Sequence, residues 1–232
     1  MLRISKTTHL CHQNISLKKI RHHETVTYIS AISHKLGKIW QQPVGKIAST
    51  LITVLEQQAT QPVWATIRSD DRGWLEFGIS QSGIERWRQQ LLGWELASSE
   101  QGSPWPISAD TLWQLQSGYE LCCRWQAIQG EMSQANATQT CIEAGLAPFQ
   151  VAAPLQNLVH CLLDICDYWD SASPTQRLRQ ARQLVLALEA CVSVTRPVSP
   201  AAKDLSRWIE PACVVLEQLI CGQFGHSIAE RF

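Results

Sequence analysis

Few residues in this chain have both the type and the spacing to do chemistry. His9, Cys11, His12, His22 and His23 crowd the amino terminus, and imidazole with thiolate is a donor set that zinc accepts. Their spacing fits no paired-ligand pattern and no Cys-x-x-Cys knuckle accompanies them, so an arm without metal is expected. His160 and Asp164 lie four apart with Asp167 beside them. That suits a metal or acid–base pair, but an i,i+4 pair on a solvated helix face is the expected reading. Arg177, Arg179 and Arg182 crowd the first turns of a helix, where the local field disfavours cations. They are suited to phosphates or to an acidic Asp164, Asp167 and Asp170 surface on the preceding helix. No nucleophile–base–carboxylate set can be assembled, and the Gly-x-x-x-x-Gly-Lys-Ser/Thr phosphate loop does not occur. No catalytic residue, metal or cofactor is therefore assigned.

Stepping outward, the elements that would carry these residues fall on two sides of a joint. Ala97–Ser108 holds Gly102, Pro104 and Pro106, which disfavour any regular element. Before it, Val26, Ile29, Ile32, Leu36 and Ile39 recur at helix spacing. A second helix starts at Pro43, with Val44, Ile47, Ala48, Leu51, Ile52 and Leu55 on one face. Val63–Arg68 and Trp74–Ile79 read as strands joined by the Ser69–Gly73 turn, and Ser80 as the cap of a helix with Ile84, Trp87 and Leu91 inward. Beyond the joint nearly everything reads as helix. The segments begin at Ser108, at Thr138 (a short one, ended by Gly145), at Leu155, at Pro174 and near Leu205, with Pro197 and Pro200 as breaks. The expected fold is α+β: a small α/β domain, its helices on a short antiparallel sheet, followed by an all-α helical bundle. The boundaries are 1–24 for a basic arm, 25–96 for the α/β domain, 97–108 for the linker and 109–232 for the bundle.

Composition narrows the class. Apolar residues make up 45% and charged residues 17%, enough for packed cores and against disorder. Apolar runs fall far short of the ~20 residues of a membrane span, and no secretory apolar region follows the basic start. Nine cysteines, mostly at helix-interior positions, read as reduced thiols of a cytoplasmic protein rather than a disulfide framework. The net charge is zero but unevenly spread. Residues 1–46 carry eight Lys and Arg against one acid, whereas residues 101–232 carry eight against twelve. The amino-terminal excess suits a polyanionic partner. Trp74 is an aromatic suited to stacking on a base, although an aromatic on a strand is more often core.

Two groups of residues carry a resemblance. Tyr28–Gly37, the Ile47–Leu55 helix and Gly73-Trp74-Leu75-Glu76-Phe77-Gly78-Ile79-Ser80 resemble the amino-terminal additional domain of arginyl-tRNA synthetases, whose second strand reads roughly Gly-Phe-Ile-Asn-Phe-Lys-Leu-Ser. The carboxyl half resembles the DALR anticodon-binding domain of the same enzymes. Leu115–Arg124 is similar to its Leu-Gln-Tyr-Ala-His-Ala-Arg helix, and Gly225–Phe232 to its terminal Gly-Ile-x-Ala-Pro-Glu-Arg-Met. The catalytic domain that separates these parts in the enzymes is replaced here by the joint, and neither the His-x-Gly-His nor the Lys-Met-Ser-Lys-Ser signature is present. The resemblance thus implies a tRNA-binding apparatus without an aminoacylating centre. It also shows departures: Trp74 keeps the family's aromatic, but Glu76 replaces its Asn, Ser117 its Tyr and Leu121 its Arg. The expected function is non-catalytic binding of tRNA or another structured RNA through Lys18, Lys19, Arg21, Lys35, Lys38 and Trp74 in the first domain and Arg177, Arg179 and Arg182 in the second. The alternative is a protein-protein scaffold that docks on a larger complex.

Overall fold

Thr27, Tyr28 and Ile29 are β-branched or aromatic, and they decide the architecture of the amino-terminal part. The computed structural model describes residues 17–20, 26–58, 63–93, 105–135, 153–169, 171–197 and 199–228. Among the described residues the first elements are two short strands, β1 (Leu17–Ile20) and β2 (Thr27–Ser30), where an arm and the start of a helix were expected. The helix spacing from Val26 misleads because it runs across a strand and the helix behind it; only Ile32–Trp40 is helical (α1). There follow α2 (Val44–Gln58), directly after Pro43 as expected, then β3 (Trp64–Ser69), β4 (Leu75–Ile79) and α3 (Gln81–Leu92). The sheet order is β1-β2-β4-β3 with every neighbouring pair antiparallel. β3 and β4 form the expected hairpin, and β2 inserts on the far side of β4. Ser80 caps α3 as expected, accepting from the Gly83 amide at 2.9 Å.

The chain divides into two compact units, Met1–Glu85 and Arg86–Phe232. The division falls inside α3, earlier than the expected joint. The reason is local: the Trp87 ring lies 6.1 Å from that of Trp208, and the Arg88 guanidinium reaches the Arg207 carbonyl at 3.5 Å. Pro211 has no N–H to give that carbonyl, so an outside donor fits there. In the first unit Tyr28, Leu36, Ile47, Ala48, Leu75 and Phe77 form the core, with the Trp64 ring 5.2 Å from that of Phe77.

The second unit is helical, making the whole an α+β fold. Its elements are α4 (Ala109–Ala135), α5 (Ala153–Asp167), α6 (Pro174–Val194), α7 (Pro200–Glu217) and a π-helical turn at Gln218–Gln223. The Thr138–Ala144 helix lies outside the described residues. Ser108 and Ser173 cap α4 and α6, accepting at 3.3 Å from the amides of Thr111 and Gln176. Leu158, Leu162, Leu184, Leu188, Leu205, Ile209, Leu216 and Leu219 are wholly buried, and the apolar stripes of α5, α6 and α7 meet in this core. Among the described residues no helix is long and apolar enough to cross a membrane.

α4 and α6 approach closely enough that a Cβ at Gly118 would lie 2.6 Å from Val185 Cγ2. Gly130, on the same helix, has nothing within 4 Å of such an atom. Gly118→Ala should therefore destabilise by about 1–3 kcal/mol through overpacking, while Gly130→Ala should stabilise by about 0.5–1 kcal/mol through helix propensity. Urea unfolding of the two variants checks the opposite signs.

Candidate nucleic-acid interface

The most constrained surface feature of the first unit is the turn between β3 and β4. Asp70 Oδ1 accepts from the Arg72 amide at 3.0 Å and the Trp74 amide at 2.7 Å. The backbone adds Gly73 N–H to Asp70 O and Asp70 N–H to Trp74 O, each at 3.0 Å. Asp is suited to this because its short side chain mimics a backbone acceptor. Gly73 has φ +81°, the left-handed region, and its α-carbon sits against the Val44 side chain, where no Cβ fits. The Ser33 hydroxyl donates to the Gly73 carbonyl. The turn is thereby tied to α1 through Ser33 and to α2 through Val44.

Trp74 leaves this turn 38% exposed, its ring 5.6 Å from that of His34 on α1 and tilted by 56° to it. His34 Nε2 is buried with no hydrogen-bond partner among the described residues. Lys35 follows His34, and Lys38 lies one helical turn further on; both are exposed. Trp40, at the end of the same helix, is 42% exposed. Lys38, four residues from His34, shares its helix face, Lys35 is one residue round the helix from it, and Arg72 lies in the turn that precedes Trp74. An aromatic face with ammonium groups around it offers a nucleic acid both stacking and charge.

The cations of β1 behave differently. In register across the sheet, Lys18 stands beside Ile29, Ile29 beside Glu76 and Glu76 beside Arg68, on one face. Arg68 Nε meets Glu76 Oε2 at 2.6 Å, so the Glu76 carboxylate is matched within its own sheet. Lys19 pairs in register with Tyr28, on the opposite face, and is half-buried. Lys18 and Lys19 therefore do not act on one surface together. Arg21 lies outside the described residues, as do the five His and Cys of the amino terminus. Arg68, Arg72 and His34 were not anticipated. Folding the sequence about the Ser69–Gly73 turn sets Arg68 opposite Trp74, so its pairing with Glu76 is seen only in the observed register, and nothing local pairs His34 with Trp74.

In the helical unit the three arginines separate. Arg177, expected to face RNA, is buried at 9% exposure. Its guanidinium donates to the Trp169 carbonyl and to Gln223 Oε1, and lies 5.2 Å from the Trp105 ring centroid and 5.3 Å from that of Trp169. A cation so enclosed is not offered to a phosphate, and it leaves the candidate set. Arg182 is exposed but donates to Thr111 Oγ1 across to α4. Arg179 is exposed. Asp164, expected on a solvated face, is buried at 9% exposure, and its backbone carbonyl accepts from Gln180 Nε2 at 3.1 Å. The polar face of α5 is covered by α6 at that turn.

Arg177→Ala should lower the unfolding free energy by about 2–4 kcal/mol, because it removes charge-assisted hydrogen bonds and two cation–π contacts. Arg179→Ala should change it by less than about 0.5 kcal/mol. Guanidinium chloride denaturation of both variants makes the comparison. Neither a family model, a curated protein nor a solved structure matches the chain.

Proposed function

We propose that this protein binds a structured RNA, with tRNA as the ligand the resemblance implies, and that it does so without catalysis. The observation that carries this reading is the half-exposed Trp74 ring held against His34 on α1, the helix that also exposes Lys35 and Lys38. A half-exposed indole rarely receives so much backbone support unless its position matters: Asp70 holds its amide, Gly73 and Ser33 fix the turn before it, and His34 supports its ring. Lys18 adds charge on the sheet, and the excess of cations in residues 1–46 draws a polyanion to this unit rather than to the acidic carboxyl half.

A second reading, a scaffold docking on a protein complex, is favoured by Trp113 on α4 and Leu186 on α6, which are 65% and 55% exposed. Large apolar side chains left in water on neighbouring helices suit a protein surface better than a phosphate backbone.

Fluorescence anisotropy with end-labelled bulk tRNA, at potassium chloride from 50 to 300 mM, on the order used to count released counterions, separates the two. The RNA reading expects log affinity to fall linearly with log salt. Lys35→Ala with Lys38→Ala should make that slope shallower by about 1 to 2, and Trp74→Ala should weaken binding roughly tenfold. Affinity that ignores salt and survives Trp74→Ala would remove the reading. A protein partner that co-purifies unchanged after nuclease treatment would favour the scaffold.

A further inference from the structure

The outward face of α6 is organised around Leu186. At about 100° per residue, Arg179 and Ser193, seven residues before and after it, fall on nearly the same line of the helix. Arg182 and Glu189 fall together on one flank of that line. All five residues are exposed, Leu186 at 55%. An apolar side chain thus marks the midpoint, with cations toward the amino-terminal end of the face and an anion toward the carboxyl-terminal end. α4 lies along the flank that carries Arg182: the Arg182 guanidinium donates to Thr111 Oγ1, and Val185 closes on Gly118. Between these two contacts α4 exposes Trp113 at 65%. Among the described residues no acid pairs with Arg179 or Arg182, and no cation pairs with Glu189.

We propose that a second copy of this chain docks on this face, with the two α6 helices antiparallel about a two-fold axis at Leu186. A two-fold axis there sets each residue opposite the one equally far on the other side of Leu186 in the second copy. Leu186 then meets its own counterpart, and both leave water. Arg182, four residues before the centre, comes within one residue of the second copy's Glu189, three residues after it, and on the same flank. The symmetry makes that charge pair twice. Arg179 comes opposite a serine, Ser193, and not opposite another cation.

The charges also exclude the other direction. A parallel pairing centred on Leu186 sets Arg179, Arg182 and Glu189 each against its own copy, and like charges so placed repel. Antiparallel helices gain further because the amino-terminal field of each lies near the carboxyl-terminal field of the other. Trp113 extends the apolar area on the α4 flank. One helix face with one indole beside it is a small interface, so monomer and dimer should exchange across the micromolar range. The contact uses neither Trp74 nor the α1 lysines proposed to meet RNA, so either reading can fail without the other.

Sedimentation velocity of the full-length protein, over a micromolar concentration series and before and after nuclease treatment, tests the proposal. The expected result is a species of twice the 26.1 kDa chain mass that grows with concentration and ignores nuclease. Leu186→Glu should weaken association at least about tenfold. Arg182→Glu and Glu189→Arg should each weaken it, and the two together should restore it, because the exchange recreates both charge pairs. Leu186→Cys should oxidise to an intermolecular disulfide. Ser193→Cys should not, since about 1.5 Å of rise per residue sets its two copies about 21 Å apart along the axis. Circular dichroism checks each variant; if Arg182→Glu loses helix with its Thr111 contact, Glu189→Arg and the two cysteine variants still decide the matter. A monomer at every concentration, a dimer that nuclease disperses, a dimer that survives Leu186→Glu, or equal cross-linking by Ser193→Cys overturns the proposal. So does a protein of different sequence that co-purifies and is released by Leu186→Glu.

Discussion

A guanidinium taken out of water must find its partners inside the protein, and in the helical unit Arg177 draws remote parts of the chain together for that reason. It stands on the first turn of α6, where the helix field itself gives a cation no help. Its partners come from three other places: Trp169 just beyond α5, Trp105 at the end of the joint, and Gln223 at the end of the π-helical turn. The turn matters because a π-helical winding shifts the side chains after it relative to a continued α-helix. Gln223 thereby reaches Arg177, and Phe224, 1% exposed, sits with its ring centroid 6.2 Å from that of Trp105. One buried charge thus fixes the end of the joint, the α5–α6 corner and the close of the carboxyl-terminal helix.

The first unit solves the opposite problem, holding a large aromatic at the surface. Asp70 does there what Arg177 does in the bundle, but with a carboxylate that gathers backbone donors. Two networks of similar density end in opposite results: one cation is withdrawn from any ligand, and one indole is displayed. In each, a polar atom is fixed by several partners drawn from different elements, so its geometry is set by the fold and not by its own side-chain preferences.

Much of this architecture was legible in sequence because its signals were local. Pro43, Ser80, Ser108 and Pro174 mark helix starts that the structure keeps, and the Ser69–Gly73 turn identifies its hairpin. β1 and β2 were not legible. Each has only four residues, and β2 shares its apolar residues with the helix period that follows. The site was legible in part. Trp74 and the α1 lysines could be named from type and spacing, yet nothing in the sequence pairs Trp74 with His34, forty residues away. Arg177 was misread for the same reason: its burial depends on Trp105 and Gln223, which only the tertiary fold brings near. The first-turn arginine that local electrostatics could not explain was the clue to a structural role.

The pair Arg68–Glu76 decides which part of the first unit is better suited to a phosphate backbone. An ion pair this close to water contributes little to stability, about 0–1 kcal/mol, so a phosphate could compete for Arg68 at small direct cost. Its capture would leave Glu76, whose side chain is 25% exposed, facing the incoming charge with no cation beside it. That repulsion and the partial desolvation both act against the sheet as a phosphate track. Among the described residues Lys35 and Lys38 on α1 have no such ion pair, and both are exposed. Binding there releases counterions without breaking a protein contact. Glu76 therefore favours α1 beside Trp74 over the strands as the point of contact for the RNA proposed above.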